Sequence, residues 1–458
     1  MRDTAVGISE KIKHVVVLML ENRSFDHLCG YLREGNPDIR GVFGTEYNDL
    51  HPGGDEPGRV PISDDAPYVP DLNPGPGHDV RDVRTQLYAG GDGKTIANLG
   101  FVYDYSRQAG VSPTEAGRVM QCFAPSKLPV LTTLARAFAL CDAWHSSLPG
   151  PTWPNRLFVH CATSGGFIDN APREFPMPSI FERLSNLELD SWRIYFHDTP
   201  QTFMLTRLRN TRYFRFFEHV DAFFRDCREA RLPRYSFIEP RYFSVLGAAA
   251  NDQHPDHGIL PGEHLIADVY NALRSSDQWL ESLLVITWDE HGGFYDHVAP
   301  ETTVNPDGKV SPEFDFKLLG VRVPAILVSP WISPGTVDHT PYDHSSIPAT
   351  LKLIFGAQDF LTDRDAQSRT FEHNCSLPSP RNDARVIVTP AKPPLATAFH
   401  NTVQGAMSQL RPPNDLQRSL VALANEVAPA HARNPDSILT ELQAAQHVHE
   451  ATIRTLSV

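Results

Sequence analysis

The chain reads as an α/β protein, an α/β/α sandwich in which a mostly parallel central sheet is covered by helices on both faces. Short apolar runs rich in Val and Ile recur at 14–20, 138–143, 193–196, 235–238, 283–288 and 323–329. Runs that are apolar on both faces suit strands buried between layers. Helical patterns fall between them, at about 127–137, 178–190, 215–230 and 262–281, and this alternation builds a parallel sheet. Proline is abundant, 39 residues against 29 glycines, which predicts long ordered connections.

In chain order, the first strand, His14-Val-Val-Val-Leu-Met-Leu, is wholly apolar after His14 and ends abruptly at Glu21. Stretches 41–78 and 88–118 are Gly, Pro and Asp rich with little periodicity, and are expected to drape as loops over the strand ends. The helix at 127–137 feeds the strand at 138–143, and the runs at 193–196 and 235–238 frame the helical pattern at 215–230. The run at 283–288 is the second long strand, and 323–329 the last. From about residue 378 Pro-rich segments give way to helix patterns at 415–427 and 438–456. The division expected is a main domain, 1–380, and a helical C-terminal appendage, 381–458, packed on it. No internal repeat is evident.

Composition excludes several classes. Hydrophobic residues make up 41% and charged residues 21%, values of a globular chain rather than a disordered one. A net charge of −14 argues against a polyanion-binding protein, so no nucleic-acid partner is expected. The longest apolar run, 15–20, is far short of the roughly 20 residues that span a bilayer. No signal-peptide pattern is present, which points to the cytoplasm as the sequence stands, and to secretion or the periplasm if a leader was removed. The six cysteines, Cys29, Cys122, Cys141, Cys161, Cys227 and Cys375, lack paired spacings and are expected to be free, buried thiols. The stretch 207–234 mixes eight arginines with five phenylalanines. Its helical stripe, Phe216, Val220, Phe223, Phe224 and Cys227, is expected to face the core, with interfacial docking as the other use.

Ligands in such sheets bind beyond the carboxyl ends of the strands, so the polar residues after each run carry the chemistry. After the first strand come Glu21-Asn22-Arg23-Ser24-Phe25-Asp26, and Glu21 and Asn22 offer hard oxygen ligands for a divalent cation. Glu21 could equally cap a helix starting near Ser24. After 283–288 come Asp289-Glu290-His291-Gly-Gly-Phe-Tyr-Asp296-His297. Adjacent carboxylates at a strand end repel unless a positive charge lies between them, and a metal ion answers that. The third segment, Thr152-Trp-Pro-Asn155-Arg156, places a hydroxyl where a helix N-terminus favours an anion, although Thr152 could be a plain N-cap. Among 20 histidines, His78, His254, His297 and His344 stand out by their loop settings. Imidazoles so placed can bind phosphate oxygens or protonate a leaving alkoxide. Thr-x-Pro-Asn-Arg also has the outline of a sulfatase run, but threonine cannot become formylglycine, which disfavours that mechanism.

These motifs, with Gln253-His254-Pro and Tyr342-Asp-His344-Ser-Ser-Ile, stand in the order seen in the phosphoesterase family, which the chain resembles over about residues 10–360. That family contains non-specific phospholipases C and a related acid phosphatase group. The resemblance implies the alkaline-phosphatase-like sandwich. It also implies one divalent metal ion (Ca2+, Mg2+ or Mn2+) held by Glu21, Asn22, Asp289 and Glu290, with the Thr152 hydroxyl as both ligand and nucleophile. By the same carry-over Asn155, His78, His254 and His344 line the phosphate pocket, and His297 lies close to it. His254 or His344 would protonate the departing alcohol. The function implied is hydrolysis of phospholipids such as phosphatidylcholine to diacylglycerol and a phosphorylated head group, through a phospho-threonine. Broad phosphomonoesterase activity is the alternative, and a non-catalytic binder of phosphorylated ligands the third reading. The partner expected is a phospholipid or small phosphoester, with at most transient contact with a membrane surface.

Overall fold

The computed structural model describes residues 7–54, 58–69, 72–245, 248–385, 387–392, 407 and 409–457. Ten strands are formed among the described residues: β1 (His14–Leu20), β2 (Tyr47–Asp49), β3 (Arg59–Pro61), β4 (Ala139–Cys141), β5 (Trp192–Phe196), β6 (Phe217–His219), β7 (Tyr235–Glu239), β8 (Ser282–Trp288), β9 (Ala325–Val328) and β10 (Thr336–Asp338). The longer helices are α1 (Phe25–Cys29), α2 (Val80–Tyr88), α3 (Pro129–Ala137), α4 (Thr152–Cys161), α5 (Ile180–Leu187), α6 (Val220–Arg228), α7 (Ile259–Arg274), α8 (Ser346–Phe355), α9 (Asp415–Val427) and α10 (Glu441–Leu456).

Eight strands form one sheet in the order β10-β4-β9-β8-β1-β7-β5-β6. Its pairings are parallel except those of β9, which runs antiparallel to β4 and β8. The apolar runs behave as expected: β8 is buried along its length, and β1 from Val15 onward. Removing both faces of such strands from water is the main stabilising term, at about 25 cal/mol per Å² of apolar surface. The register pairs Leu20 with Trp288. Glu21 and Asp289 are the next residues of adjacent parallel strands, so the two acids leave the sheet side by side.

Several boundaries differ from the expectation. The pattern at 215–230 divides into edge strand β6 and helix α6. The short strand β10 was not anticipated, because two of its three residues are only half-buried. The stretches at 41–78 and 88–118 are not pure loop. They hold the β2–β3 hairpin and two short helices, Phe101–Ser106 and Pro113–Ala116. With α2 these enclose a satellite core of Val42, Ile62, Leu87, Phe101 and Phe294.

The aromatic stripe faces inward: Phe216, Val220, Phe223 and Cys227 are buried, and only Phe224 is half-buried. All six cysteines are buried and free. No helix among the described residues is long and apolar enough to cross a membrane. The C-terminal helices lie against the sheet-bearing body, with Arg209 paired to Glu426 at 2.6 Å, Thr199 to Thr452 at 2.9 Å, and Gln417 Nε2 donating to the Tyr242 carbonyl at 2.8 Å.

Candidate active site

The chain turns sharply where β1 ends. Asn22 adopts a left-handed φ of 54°, a conformation Asn tolerates better than most residues. Its backbone N–H donates to Asp289 Oδ1 at 2.9 Å, which ties the ends of β1 and β8 together. Helix α1 is capped by Ser24, whose Oγ accepts from the His27 N–H at 3.2 Å. Glu21 is therefore not a cap. Thr152 is not an N-cap either; Pro151 holds that position and Thr152 is the first helical residue. Its Oγ1 lies 3.3 Å from Glu21 Oε2 and 3.5 Å from Asn22 Oδ1. Glu21, Asn22, Thr152, Asp289 and Glu290 are all fully buried.

Behind Asp289 and Glu290 the Gly-Gly turn makes a close approach that a side chain would block. Gly292 has φ +64°, and a Cβ there would stand 2.3 Å from the Asn22 carbonyl oxygen.

The charges explain what the cluster can hold. Burial drives the Glu21 carboxyl well above its ordinary pKa against the pull of Arg156, and Asp289 is raised for the same reason. Arg156, one helical turn after Thr152, donates to Glu21 Oε1 at 2.6 Å and stands 3.6 Å from Asp289 Oδ2. Asp289 Oδ2 otherwise has no hydrogen-bond partner among the described residues. A buried carboxylate oxygen left unpaired is costly unless a ligand takes it. With Glu21 Oε2, Asn22 Oδ1 and Thr152 Oγ1 nearby, it completes a hard-oxygen donor set that fits a divalent cation. Glu290 is more heavily engaged: Oε1 lies 2.6 Å from His78 Nδ1, and Oε2 accepts from the Gly292 N–H at 2.6 Å. Only its remaining lone pairs are open to a metal.

Two of the singled-out histidines face a shared cavity of about 620 Å³, lined also by Asn22, Asp79, Asp169 and Asp415. Burial alone would lower the pKa of His78, but Glu290 and Asp415 outweigh it and raise it well above its ordinary value. His254 behaves alike: Asp256, with Nδ1–Oδ1 at 2.5 Å, and Asp415 overcome burial and raise it well above 6.5. Arg23 Nε and Nη2 donate to the Gln253 and His254 carbonyls at 2.7 and 3.1 Å. The β1 motif thus shapes the Gln-His-Pro loop.

Three of the expected pocket residues have their polar atoms engaged elsewhere. His344 is fully buried with both ring nitrogens spent: Nε2 is 2.5 Å from the Asp289 carbonyl oxygen, and Nδ1 accepts from Trp144 Nε1 at 3.3 Å. Burial lowers its pKa to about 4, and the ring anchors the Asp289 strand end.

His297 belongs to a separate clamp. Its Nδ1 sits 2.6 Å from Asp26, and Arg322 donates to Asp26 at 3.0 Å and to Asp296 at 2.8 Å. Asp26, Asp296 and His297 offer ligand atoms within 4.8 Å of one another, a composition suited to a divalent ion. The Arg322 guanidinium already supplies the positive charge between those two carboxylates. Asn155 does not reach into the cavity either: its Nδ2 donates to the carbonyls of Leu148, Gly150 and Pro151 at 3.3, 2.8 and 3.1 Å, shaping the loop before Thr152.

Sequence reasoning missed Arg156, Asp256 and Asp415. The spacing of Arg156 from Thr152, i and i+4 on one helix, places both on one face and could have found it. Asp256 follows the Gln253-His254-Pro motif directly and was passed over. Asp415 carries no local signal.

A buried hydroxyl at a helix start, carboxyl and amide oxygens at the carboxyl ends of central parallel strands, and two imidazoles lining a cavity with Asn22 are the kinds of group a hydrolase of charged esters uses. The sequence matches the Phosphoesterase family across residues 12–358, and the chain belongs to that family. It is 43% identical over 426 residues to Non-specific phospholipase C6 of Arabidopsis thaliana, spanning 87% of this chain and 80% of that protein. Non-specific phospholipase C4 of the same plant is 42% identical over 446 residues, with 91% and 80% covered. Among solved structures, a protein in the alkaline phosphatase superfamily from Vibrio parahaemolyticus aligns over 61% of this chain and 79% of that one, with TM-score 0.31 and 10% identity.

Proposed function

We propose that this chain is a metal-dependent phosphodiesterase of the non-specific phospholipase C type, cleaving phospholipids such as phosphatidylcholine to diacylglycerol and a phosphorylated head group. The observation that carries the reading is the Thr152 hydroxyl, buried within 3.3 Å of Glu21 Oε2 and 3.5 Å of Asn22 Oδ1. Likeness to the plant phospholipases supports the substrate class.

A divalent ion held by Glu21, Asn22, Asp289 and Glu290 would supply the positive charge that lowers the Thr152 hydroxyl pKa and offsets charge on the phosphoryl oxygens. Thr152 Oγ1 then attacks phosphorus in line, its proton leaving toward Glu21 Oε2. His78 and His254 donate to the phosphoryl oxygens. As the P–O bond breaks, the same His254 Nε2–H would shift from the phosphoryl oxygen to the departing alcohol and be given up to it. Water then attacks the phospho-threonine, its proton passing to the deprotonated His254, while the proton held at Glu21 returns to Thr152 Oγ1 and the phosphorylated head group leaves.

The test is a side-by-side rate measurement on phosphatidylcholine in mixed micelles and on an aryl phosphate monoester. Protein is stripped with chelator and reloaded with Ca2+, Mg2+ or Mn2+. Release of diacylglycerol that depends on added metal is expected. Faster cleavage of the monoester than of any phospholipid would assign the chain to the phosphatases.

A further inference from the structure

His78 and His254 are each held through Nδ1 by a carboxylate of the main body. Glu290 Oε1 stands 2.6 Å from His78 Nδ1, and Asp256 Oδ1 stands 2.5 Å from His254 Nδ1. These contacts already fix both rings. One nitrogen per ring remains, and the two Nε2 atoms converge on a single carboxylate from elsewhere in the chain. Asp415 Oδ2 lies 3.0 Å from His78 Nε2, and Oδ1 lies 3.5 Å from His254 Nε2. Two oxygens on one central atom, bridging two imidazole donors, is the arrangement a phosphoryl group would adopt between them.

Asp415 differs from the two orienting acids in ways that matter. Its side chain is 42% exposed, whereas that of Glu290 is wholly buried and that of Asp256 is 18% exposed. Its contact with His254 is too long for a hydrogen bond, so His254 Nε2, in a side chain only 4% exposed, lacks such a partner among the described residues. Asp415 is bonded to His78 at 3.0 Å yet leaves His254 Nε2 without a bond, and it lines the cavity from the first position of α9, where the Asn414 cap also reaches Asp256 at 3.3 Å.

We propose that Asp415 is a built-in competitor: its carboxylate is hydrogen-bonded to His78 Nε2 and stands 3.5 Å from His254 Nε2, the two imidazole donors that a substrate's phosphoryl oxygens require, and substrate binding displaces it. This rests on reading the cavity as a phosphoester site. The consequence is that the C-terminal helix sets substrate affinity more than the rate of the chemical step.

Calorimetric titration with inorganic phosphate tests the contact without turnover, on the full chain and on Asp415→Asn and Asp415→Ala. Phosphate should bind both variants about tenfold more tightly, the scale of one competing charge-assisted contact. KM for the phosphodiester should fall in parallel, with kcat changed less than KM. Asp415→Glu keeps the charge and should stay as weak as the wild type. Unchanged or weaker phosphate binding in the Asn and Ala variants would overturn the proposal and make Asp415 a positioning or structural acid. So would a Glu variant as tight as the Asn variant. Wild-type protein that binds phosphate but hydrolyses no phosphoester would overturn the phospholipase reading alone.

Discussion

At the residue scale the chemistry concentrates on two side chains. Among the described residues, the Thr152 hydroxyl lies against both Glu21 and Asn22. Replacing it with Ala should lower kcat by at least ~10³, because the covalent route is gone, while the melting temperature stays near wild type. Thr152→Ser should keep part of the activity; an alanine variant with near-normal turnover would exclude the phospho-threonine. The second is His254, whose pKa lies above its ordinary value because Asp256 and Asp415 outweigh burial. A proton donor works while protonated, so kcat should fall as pH rises through that elevated pKa. Asp256→Asn removes a raising charge and should move this falling limb to lower pH. A pH–rate profile identical in the two proteins would remove His254 from the proton-transfer step.

At the element scale, the parallel pairing of β1 with β8 delivers Glu21 beside Asp289. Both carboxyls have raised pKa values, chiefly from burial. For an acid, a folded pKa above the unfolded one means stability falls as pH rises from the unfolded value through the folded one. A bound cation reverses the cost, since it stabilises the charged forms and binds only the folded chain. Chelator-treated protein should therefore melt lower at neutral pH than metal-loaded protein. Asp289→Asn should abolish that difference while making the metal-free protein the more stable of the two chelated samples. Melting curves with and without chelator decide it, and fully active protein that lacks metal and ignores chelators would dismiss the site.

At the scale of the whole molecule, a net charge of −14 opposes approach to anionic bilayers. Phosphatidylcholine should be cleaved faster than phosphatidylserine of matched acyl chains, and the gap should narrow as salt screens the repulsion. Equal rates at low salt would show that the molecular charge plays no part in selection.

Much of this architecture was legible in the chain itself. The runs at 14–20 and 283–288 matched β1 and β8 closely because burial on both faces leaves nearly unbroken apolar stretches. The polar residues after them had to lie at the strand ends, and Glu21, Asn22, Asp289 and Glu290 do follow β1 and β8 directly. Helix α9 appeared with its bounds because its period is long and regular. What sequence could not decide was partnership. His254 and His344 have similar loop settings, yet one borders the cavity and the other has both nitrogens bonded in the core. The Asn155 amide turned back on its own loop, and His297 joined the Arg322 clamp, because donors and acceptors from distant segments met them there. Asp415 reached His78 across 337 positions of the chain. Local patterning sets which residues leave a strand or start a helix, since propensity and burial act over a few neighbours. Which of those residues meet depends on strand order, register and the docking of helices, and these are set by contacts between segments far apart in the chain.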